Sequence, residues 1–549
     1  MYEHLLEPPK FYETIGKEQH AANIREHFDT LLKASGVNEE ENRATVKKYK
    51  HELALLDGVK KRISRYKLFR VLLIIAAVLG GIFAIVGIIE PNLIYIAIGV
   101  LAIPLSIILI VKKINPLIKD AEALRQKHEA AAAELLATAE AQMAPLNALF
   151  RDDDTFRLIE KTVPDIKFSE RFTPRLKTFL KKDVARQYLD NGEASVTSAV
   201  SGEFSENPFV FLHRLVHRLG LETYHGTLVI HWTESYTDSE GRRRTRTRTQ
   251  TLHASVTKPK PFYHEETFLC YANQAAPDLS FSRAATDTEE LTEKQIERRV
   301  KKGKKKLEKK AREALEGGSG FREMSNAEFD VLFGATDRDH EVQFRLLFTP
   351  LAQKNTIALL KGEVGYGDDF SFIKRKELNV IKSEHAQGFA MYPSARNYYS
   401  YDIDAARANF ESFNNNYFKS VFFDFAPLLS IPAYLEEPTG FLLDDNKGSE
   451  NFSSLEHEKK ANELGARNFA HGMSKTSVIL KTRCVDSTEG YDDVEVSAYS
   501  YATANRVDFI SVLGGDGRIH AVPVHWIEYI PLENAKIMRM ANDGTANVL

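Results

Sequence analysis

The chain has 549 residues, 43% hydrophobic, 10% aromatic and 27% charged, which is room for three or four folded units and excludes a wholly disordered chain. Its 73 lysines and arginines against 76 acids leave a formal net charge of −3, so any field for a polyanion must be local. Two cysteines, Cys270 and Cys484, exclude a disulfide framework and a four-cysteine zinc site, and suit a reducing compartment.

Residues 1–70 read as N-terminal helices. An amphipathic segment lies near 18–34, and a second helix is expected over 38–66, where Asn38 followed by Glu39, Glu40 and Glu41 forms an N-terminal cap with acids at the positive helix end. Val46, Tyr49, Leu53, Leu56 and Ile63 trace one stripe on it. From Val71 to Ile89 and again from Leu93 to Val111 the chain runs without a charge, long enough at about 1.5 Å per residue to cross a hydrocarbon core of about 30 Å. Only Glu90, Pro91 and Asn92 separate the two runs, so 71–111 is expected to be a transmembrane helical hairpin, and a run starting 70 residues in is not a signal peptide. Lys60, Lys61, Arg62, Arg65, Lys67 and Arg70 precede it and Lys112, Lys113 and Lys119 follow it. The loop holds no cation, which places both termini in the cytoplasm beneath a bacterial-type inner membrane. Neither span carries an ionisable side chain, so no proton or ion relay is visible; Gly80, Gly81, Gly87 and Gly99 permit close helix approach. Residues 112–150 are a juxtamembrane helix over 117–143, bounded by Pro116 and Pro145. With the 38–66 helix it either continues the spans as an antiparallel stalk or lies flat on the folded part.

Residues 151–290 read as an α+β domain whose 196–275 stretch alternates like strands. Thr237–Gly241 is turn chemistry between two such runs. On the second arm Arg242, Arg244, Arg246 and Arg248 share a face, at about 6.6 Å spacing, and are candidate polyanion-binding residues; cross-strand ion pairs with Glu234, Asp238 and Glu240 explain the same pattern. Residues 291–320 are a basic helix or linker. Lys294–Arg312 holds eleven cations and two acids, with Lys301, Lys302, Lys304, Lys305 and Lys306 at its centre. It is either a solvated linker or a surface for anionic lipid headgroups, worth about 1 kcal/mol per cation, or for nucleic acid or a partner protein. The absence of aromatic residues there argues against base stacking.

Residues 321–549 read as a second α+β domain: a helix at 351–361, strands near 370–381 and 387–392, a helix at 405–421 capped by Asp402 or Asp404 with a core stripe of Ala406, Phe410, Phe413, Tyr417 and Val421, and a closing antiparallel meander at 476–485, 493–502, 506–513 and 518–530. The fold class expected is thus an α-helical membrane hairpin with a helical stalk, plus a cytoplasmic α+β region with antiparallel sheets. The strings FDVLFGATDRDHEVQFRLLFTPLAQ (Phe329–Gln353) and FNNNYFKSVFFDFAPLLSIPAY (Phe413–Tyr434), behind the two-span anchor, resemble an uncharacterised two-span membrane-protein family of mycoplasmas and other bacteria. The resemblance implies an inner-membrane protein with a cytoplasmic α+β region and carries no catalytic residue.

No enzymatic constellation stands out. Gly514–Gly517 (GGDG) sits between alternating runs and is expected to be a hairpin turn instead of a phosphate loop. His213 and His217 have helix-like spacing, but Arg214 stands where the zinc motif needs glutamate, so they are expected on an ordinary helix. Asp152-Asp153-Asp154 and Asp444-Asp445-Asn446 are expected to be solvated caps or loops. The sequence therefore predicts no catalytic residue, cofactor or metal. It suggests a membrane-anchored binding or scaffold protein, with the lipid bilayer, anionic headgroups and a homo-oligomer as partners. The alternative is an oligomeric ligand-gated effector or channel, controlled by an anionic oligonucleotide.

Overall fold

A computed structural model of the chain describes residues 5–89, 93–317, 320–388, 392–436 and 451–549. The loop 90–92, part of the glycine-rich run after 316 and the Asp444-Asp445-Asn446 string lie outside them. The chain is an α+β mix that clusters into two units, each assembled from separated segments: a helical unit (21–155 and 394–416) and a sheet unit (1–20, 156–393 and 417–549).

In the helical unit, Asn38 accepts the Glu41 amide and opens a single helix, Glu39–Ile89, with no break between its charged and apolar halves. The return helix, Leu93–Asn147, is continuous except for a π-helical turn at Ile110–Ile114, and Pro145 lies inside its last turn and does not end it. The helices pack antiparallel, with Asn42 and Thr45 bonded to Gln142, Glu52 to His128, and Lys60 and Lys67 paired with Glu129 and Glu122, and Val46, Leu56 and Ile63 of the expected stripe are buried. Leu53 was expected in this stripe but is 39% exposed, because Glu52 takes its place and pairs with His128 Nδ1 at 2.6 Å. Farther along, Gly99 faces the other helix so closely that a Cβ there would come 2.6 Å from both the Gly80 carbonyl and the Ala84 methyl. Gly81, by contrast, opens outward and supports no helix contact. Both helices are long and apolar enough to cross a membrane, and only 11% of each apolar stretch is buried.

The sheet unit is built on a seven-stranded antiparallel sheet, ordered β1 (Ile166–Ser169), β2 (Ala194–Phe204), β3 (Asn207–Thr237), β4 (Arg243–Ala272), then β7 (Leu378–Ser383), β6 (Phe370–Arg375) and β5 (Ser280–Arg283). The division expected at 291–320 is therefore not a sheet boundary, since β6 and β7 complete a sheet begun before it. The 370–381 run is itself a hairpin, turning at Lys376, whose φ is +53°; 384–388 are turn, where part of the 387–392 strand was expected, and 389–391 lie outside the described residues. A four-stranded sheet follows: β8 (Ile479–Ser487), β9 (Tyr491–Leu513), β10 (Ile519–Ala541) and β11 (Ala546–Val548). The two runs at 493–502 and 506–513 merge into β9, and GGDG is the β9–β10 turn, as its sequence suggests.

β3 and β4 outrun their sheet. Beyond Val216 and before Leu269 they pair only with each other, and a two-stranded ribbon is marginal alone. The β9–β10 hairpin covers one face of it through Ile230, Leu252 and Val522, with Lys258 paired to Asp508 at 2.7 Å. His213 and His217 lie on β3, not on a helix. Pairing to β4 fixes that choice by burying the alternate residues Leu212, Arg214 and Val216. Four strand residues separate the histidines by about 13 Å, too far for a common metal.

Candidate polyanion-binding surfaces

The turn after β3 fixes the register of the arginine arm. Asp238 Oδ1 accepts the Glu240 and Arg242 amides, and this places Glu234 opposite Arg246 and Tyr236 opposite Arg244. The carboxylates are then within reach. Asp238 takes Arg244 at 2.7 Å, Glu234 takes Arg246 at 3.1 Å and Arg248 at 2.9 Å, and Glu240 pairs with Arg242. Each of the four guanidiniums has an acidic partner, while Thr245, Thr247, Thr249 and Thr251 occupy the other face. The ion-pair explanation of the pattern has its full geometry here, and a polyanion would have to displace those carboxylates.

The lysine segment is different. It is one helix, Glu293–Glu316, opened by a capping box in which Thr292 bonds the Gln295 amide and Gln295 bonds back. Ile296, Leu307 and Ala314 are buried along one side, where Lys310 Nζ donates to the Thr336 carbonyl and lies over the Phe321 ring. Gly303 interrupts the lysines because the helix passes against Val331, and a Cβ at 303 would overlap one Val331 methyl and come 2.8 Å from the other. The segment is thus a packed amphipathic helix, not a solvated linker: its sparse apolar residues recur at intervals of three and four, which charge composition conceals. Lys301, Lys302, Lys304, Lys305 and Lys306 are all exposed, and among the described residues none of the five has an acidic partner within ion-pair distance.

Sequence reasoning missed a buried ionic cluster in the sheet unit. Three glycines with left-handed backbone, Gly362, Gly365 and Gly367, carry the chain into Asp368 and Asp369. Asp368 is fully buried against Arg283 and accepts Thr286 Oγ1 at 2.5 Å; burial raises its pKa. Asp369 binds His385 Nδ1, and His385 Nε2 donates to the Ser420 carbonyl at 3.2 Å, with Asp424 at 3.5 Å and the Tyr366 ring stacked 4.0 Å away. Burial opposes charge on His385, but the bond to Asp369 and the charges of Asp424 and Asp369 raise its pKa overall. Burial pushes Asp424 up to about 6, with His385 and the Ser383 hydroxyl pulling the other way. Both imidazole nitrogens are committed, so the cluster fastens the helix Ile403–Leu429 to the loop before β6 and leaves no nitrogen free as a base. The run of glycines before two aspartates was the only local signal. Asp154, expected to be solvated, is also buried: it accepts the Arg151 amide and pairs with His27 at 3.2 Å.

Among the described residues no group of three or more histidine, cysteine, aspartate or glutamate side chains is placed to hold a metal ion. Comparison of the chain with protein-family models, curated proteins and solved structures finds no match.

Proposed function

We propose that the chain is a protein of the bacterial inner membrane whose hairpin spans the bilayer twice, with both termini in the cytoplasm, and whose remaining mass is a non-catalytic binding or scaffold platform. The observation that carries this reading is the hairpin's surface. Residues such as Leu72, Ile75, Ile82, Ile88, Leu93, Leu101 and Ile108 are 48–86% exposed on all outer sides, which in water would be a costly patch and in lipid is the ordinary state. Glycine-mediated contact between the helices and the lack of ionisable residues in the spans suit an anchor better than a conduit. The resemblance to an uncharacterised two-span family points the same way. An oligonucleotide-gated effector draws less support, since the arginines it would use already have carboxylate partners.

Topology tests it. In a C484S background, a Leu93→Cys variant is expected to react with a membrane-impermeant maleimide from outside intact cells, while a reporter fused after Leu549 reports cytoplasm. Labelling of that cysteine only after lysis would overturn the reading.

A further inference from the structure

We infer that the outward face of the helix Glu293–Glu316 is a docking surface for anionic lipid headgroups. The inference rests on the membrane-anchored reading and adds a second contact with the bilayer. A packed helix holds its side chains in fixed directions, at about 100° per residue. With Ile296, Gly303, Leu307 and Ala314 turned inward, Lys294, Arg298, Lys301, Lys305 and Arg312 all fall within about 40° of the opposite pole, in a straight row about 27 Å long. Lys302 and Lys306 flank the row on one side and Lys304 on the other, and Glu308 is the one carboxylate between Lys305 and Arg312 on that face. All eight cations are exposed, and among the described residues none lies within ion-pair distance of an acid. The arginine arm shows the contrast, because there Arg242, Arg244, Arg246 and Arg248 each lie against Asp238, Glu240 or Glu234.

The form of the charge selects the partner. A straight row on a convex, rigid helix meets a plane along its whole length, and a bilayer surface is a plane of mobile anions. Six of the eight cations are lysines, compact hydrated point charges that need no bidentate geometry and match headgroups better than a fixed phosphate register. The helix contains no aromatic residue, so a single strand of nucleic acid would find charge but no stacking platform. The apolar seam is used internally and the one large apolar side chain exposed on this helix, Leu315, lies about 80° off the row at its C-terminal end, so the contact along the row is electrostatic and each cation is worth about fivefold in surface occupancy.

The test uses the full-length chain in nanodiscs of phosphatidylcholine, with or without phosphatidylglycerol, containing a headgroup nitroxide lipid. A fluorophore is placed at 305 (K305C in a C484S background) or, as control, on the native exposed Cys484. The expected result is quenching at 305, but not at 484, that requires phosphatidylglycerol, is abolished by high salt, and falls at least tenfold in excess occupancy when Lys301, Lys302, Lys304 and Lys306 are replaced by glutamine. An unchanged circular dichroism spectrum shows that this variant is folded. Absence of quenching at 305, or equal quenching in both lipid mixtures, in discs where Leu93→Cys shows the hairpin inserted, overturns the inference and leaves the anchor standing. Failure of the chain to enter discs overturns the anchor itself. Salt-sensitive capture of a single-stranded oligonucleotide that frees the probe from the headgroups in phosphatidylglycerol discs reassigns the face to nucleic acid and overturns the lipid inference.

Discussion

Replacing Gly303 with alanine puts two opposed energies on one atom. In a solvated helix the change is favourable by about 0.8–1.0 kcal/mol, because glycine loses more backbone entropy than alanine on helix formation. In the packed helix the new Cβ would sit 2.8 Å from one Val331 methyl and overlap the other, against a carbon–carbon optimum of about 3.5–4.0 Å. Overpacking of this kind costs about 1–3 kcal/mol, so Gly303→Ala is expected to be neutral to about 2 kcal/mol destabilising. Val331 is half-buried, and truncating it alone should cost about 1 kcal/mol of lost contact. Combined, the two changes remove the clash, and the double variant should be more stable than the sum of the singles by about 1–3 kcal/mol.

The coupling term is the decisive quantity, since the single change can fall near zero. Denaturant unfolding of wild type, both single variants and the double variant in one detergent supplies it. A coupling within about 0.5 kcal/mol of zero, together with a stabilising Gly303→Ala, is what a solvated segment would give. That result would refute the packing of the lysine helix and with it the fixed direction of its outer face.

Three further outcomes are expected. Substituting Arg244, Arg246 and Arg248 by glutamine should leave oligonucleotide binding unchanged and cost no more than about 1 kcal/mol per pair, because these arginines are 46–57% exposed; tight, salt-dependent binding lost in the variant would show that the carboxylates yield to a polyanion. In the hairpin, Gly99→Leu should force the helices apart and lower the midpoint of detergent-induced unfolding, whereas Gly81→Leu, which meets open space, should not; equal midpoints would refute the close contact. Asp424, raised from 3.8 to about 6 by burial, and His385, raised chiefly by Asp369 once burial is overcome, both hold protons more tightly when folded, so their stabilisation is complete below the unfolded values and is lost as pH rises through the folded ones. The two contributions to stability should therefore fall with pH, that of Asp424 between about pH 4 and 6 by up to about 3 kcal/mol and that of His385 above pH 6.5; compared with wild type, Asp424→Asn should lose the first fall, and an identical profile in that variant would refute the contribution of Asp424.

What the sequence made legible was local. The Asn38 cap, the GGDG turn and the Asp238–Gly241 turn rest on residues within one or two turns of each other and the two apolar runs on one unbroken stretch each, and the structure has them where the pattern indicates. His213 and His217 misled because a four-residue interval puts two side chains on one face of a helix and of a strand alike, and only pairing with β4, some 50 residues away, decides. The buried cluster was invisible for a related reason. Arg283, Asp368, Asp369, His385 and Asp424 come from four separate stretches of chain, so no window contains the charge balance that makes their burial tolerable.

The two basic strings show where composition stops being informative. Both are dense in cations, and counting charges ranks them as alternatives. Their difference lies in what secondary structure does with the nearest acids. In a hairpin, the turn residue that sets register also sets which side chain stands opposite which, so Asp238, by fixing the turn, carries Glu234 to Arg246 and becomes the partner of Arg244 itself. In a helix packed on one side, no second strand delivers carboxylates to the far side, and only acids three or four positions away in the same helix can reach. The helix has five acids for eleven cations, and among the described residues only Lys309 meets one of them, Glu313, within ion-pair distance, so most of its charge is left without a carboxylate in the helix itself, and the packing of Gly303 against Val331 turns much of that surplus outward. Pairing in one case and display in the other thus follow from register and packing, which is why the proposed anion surface is the lysine helix and not the arginine arm.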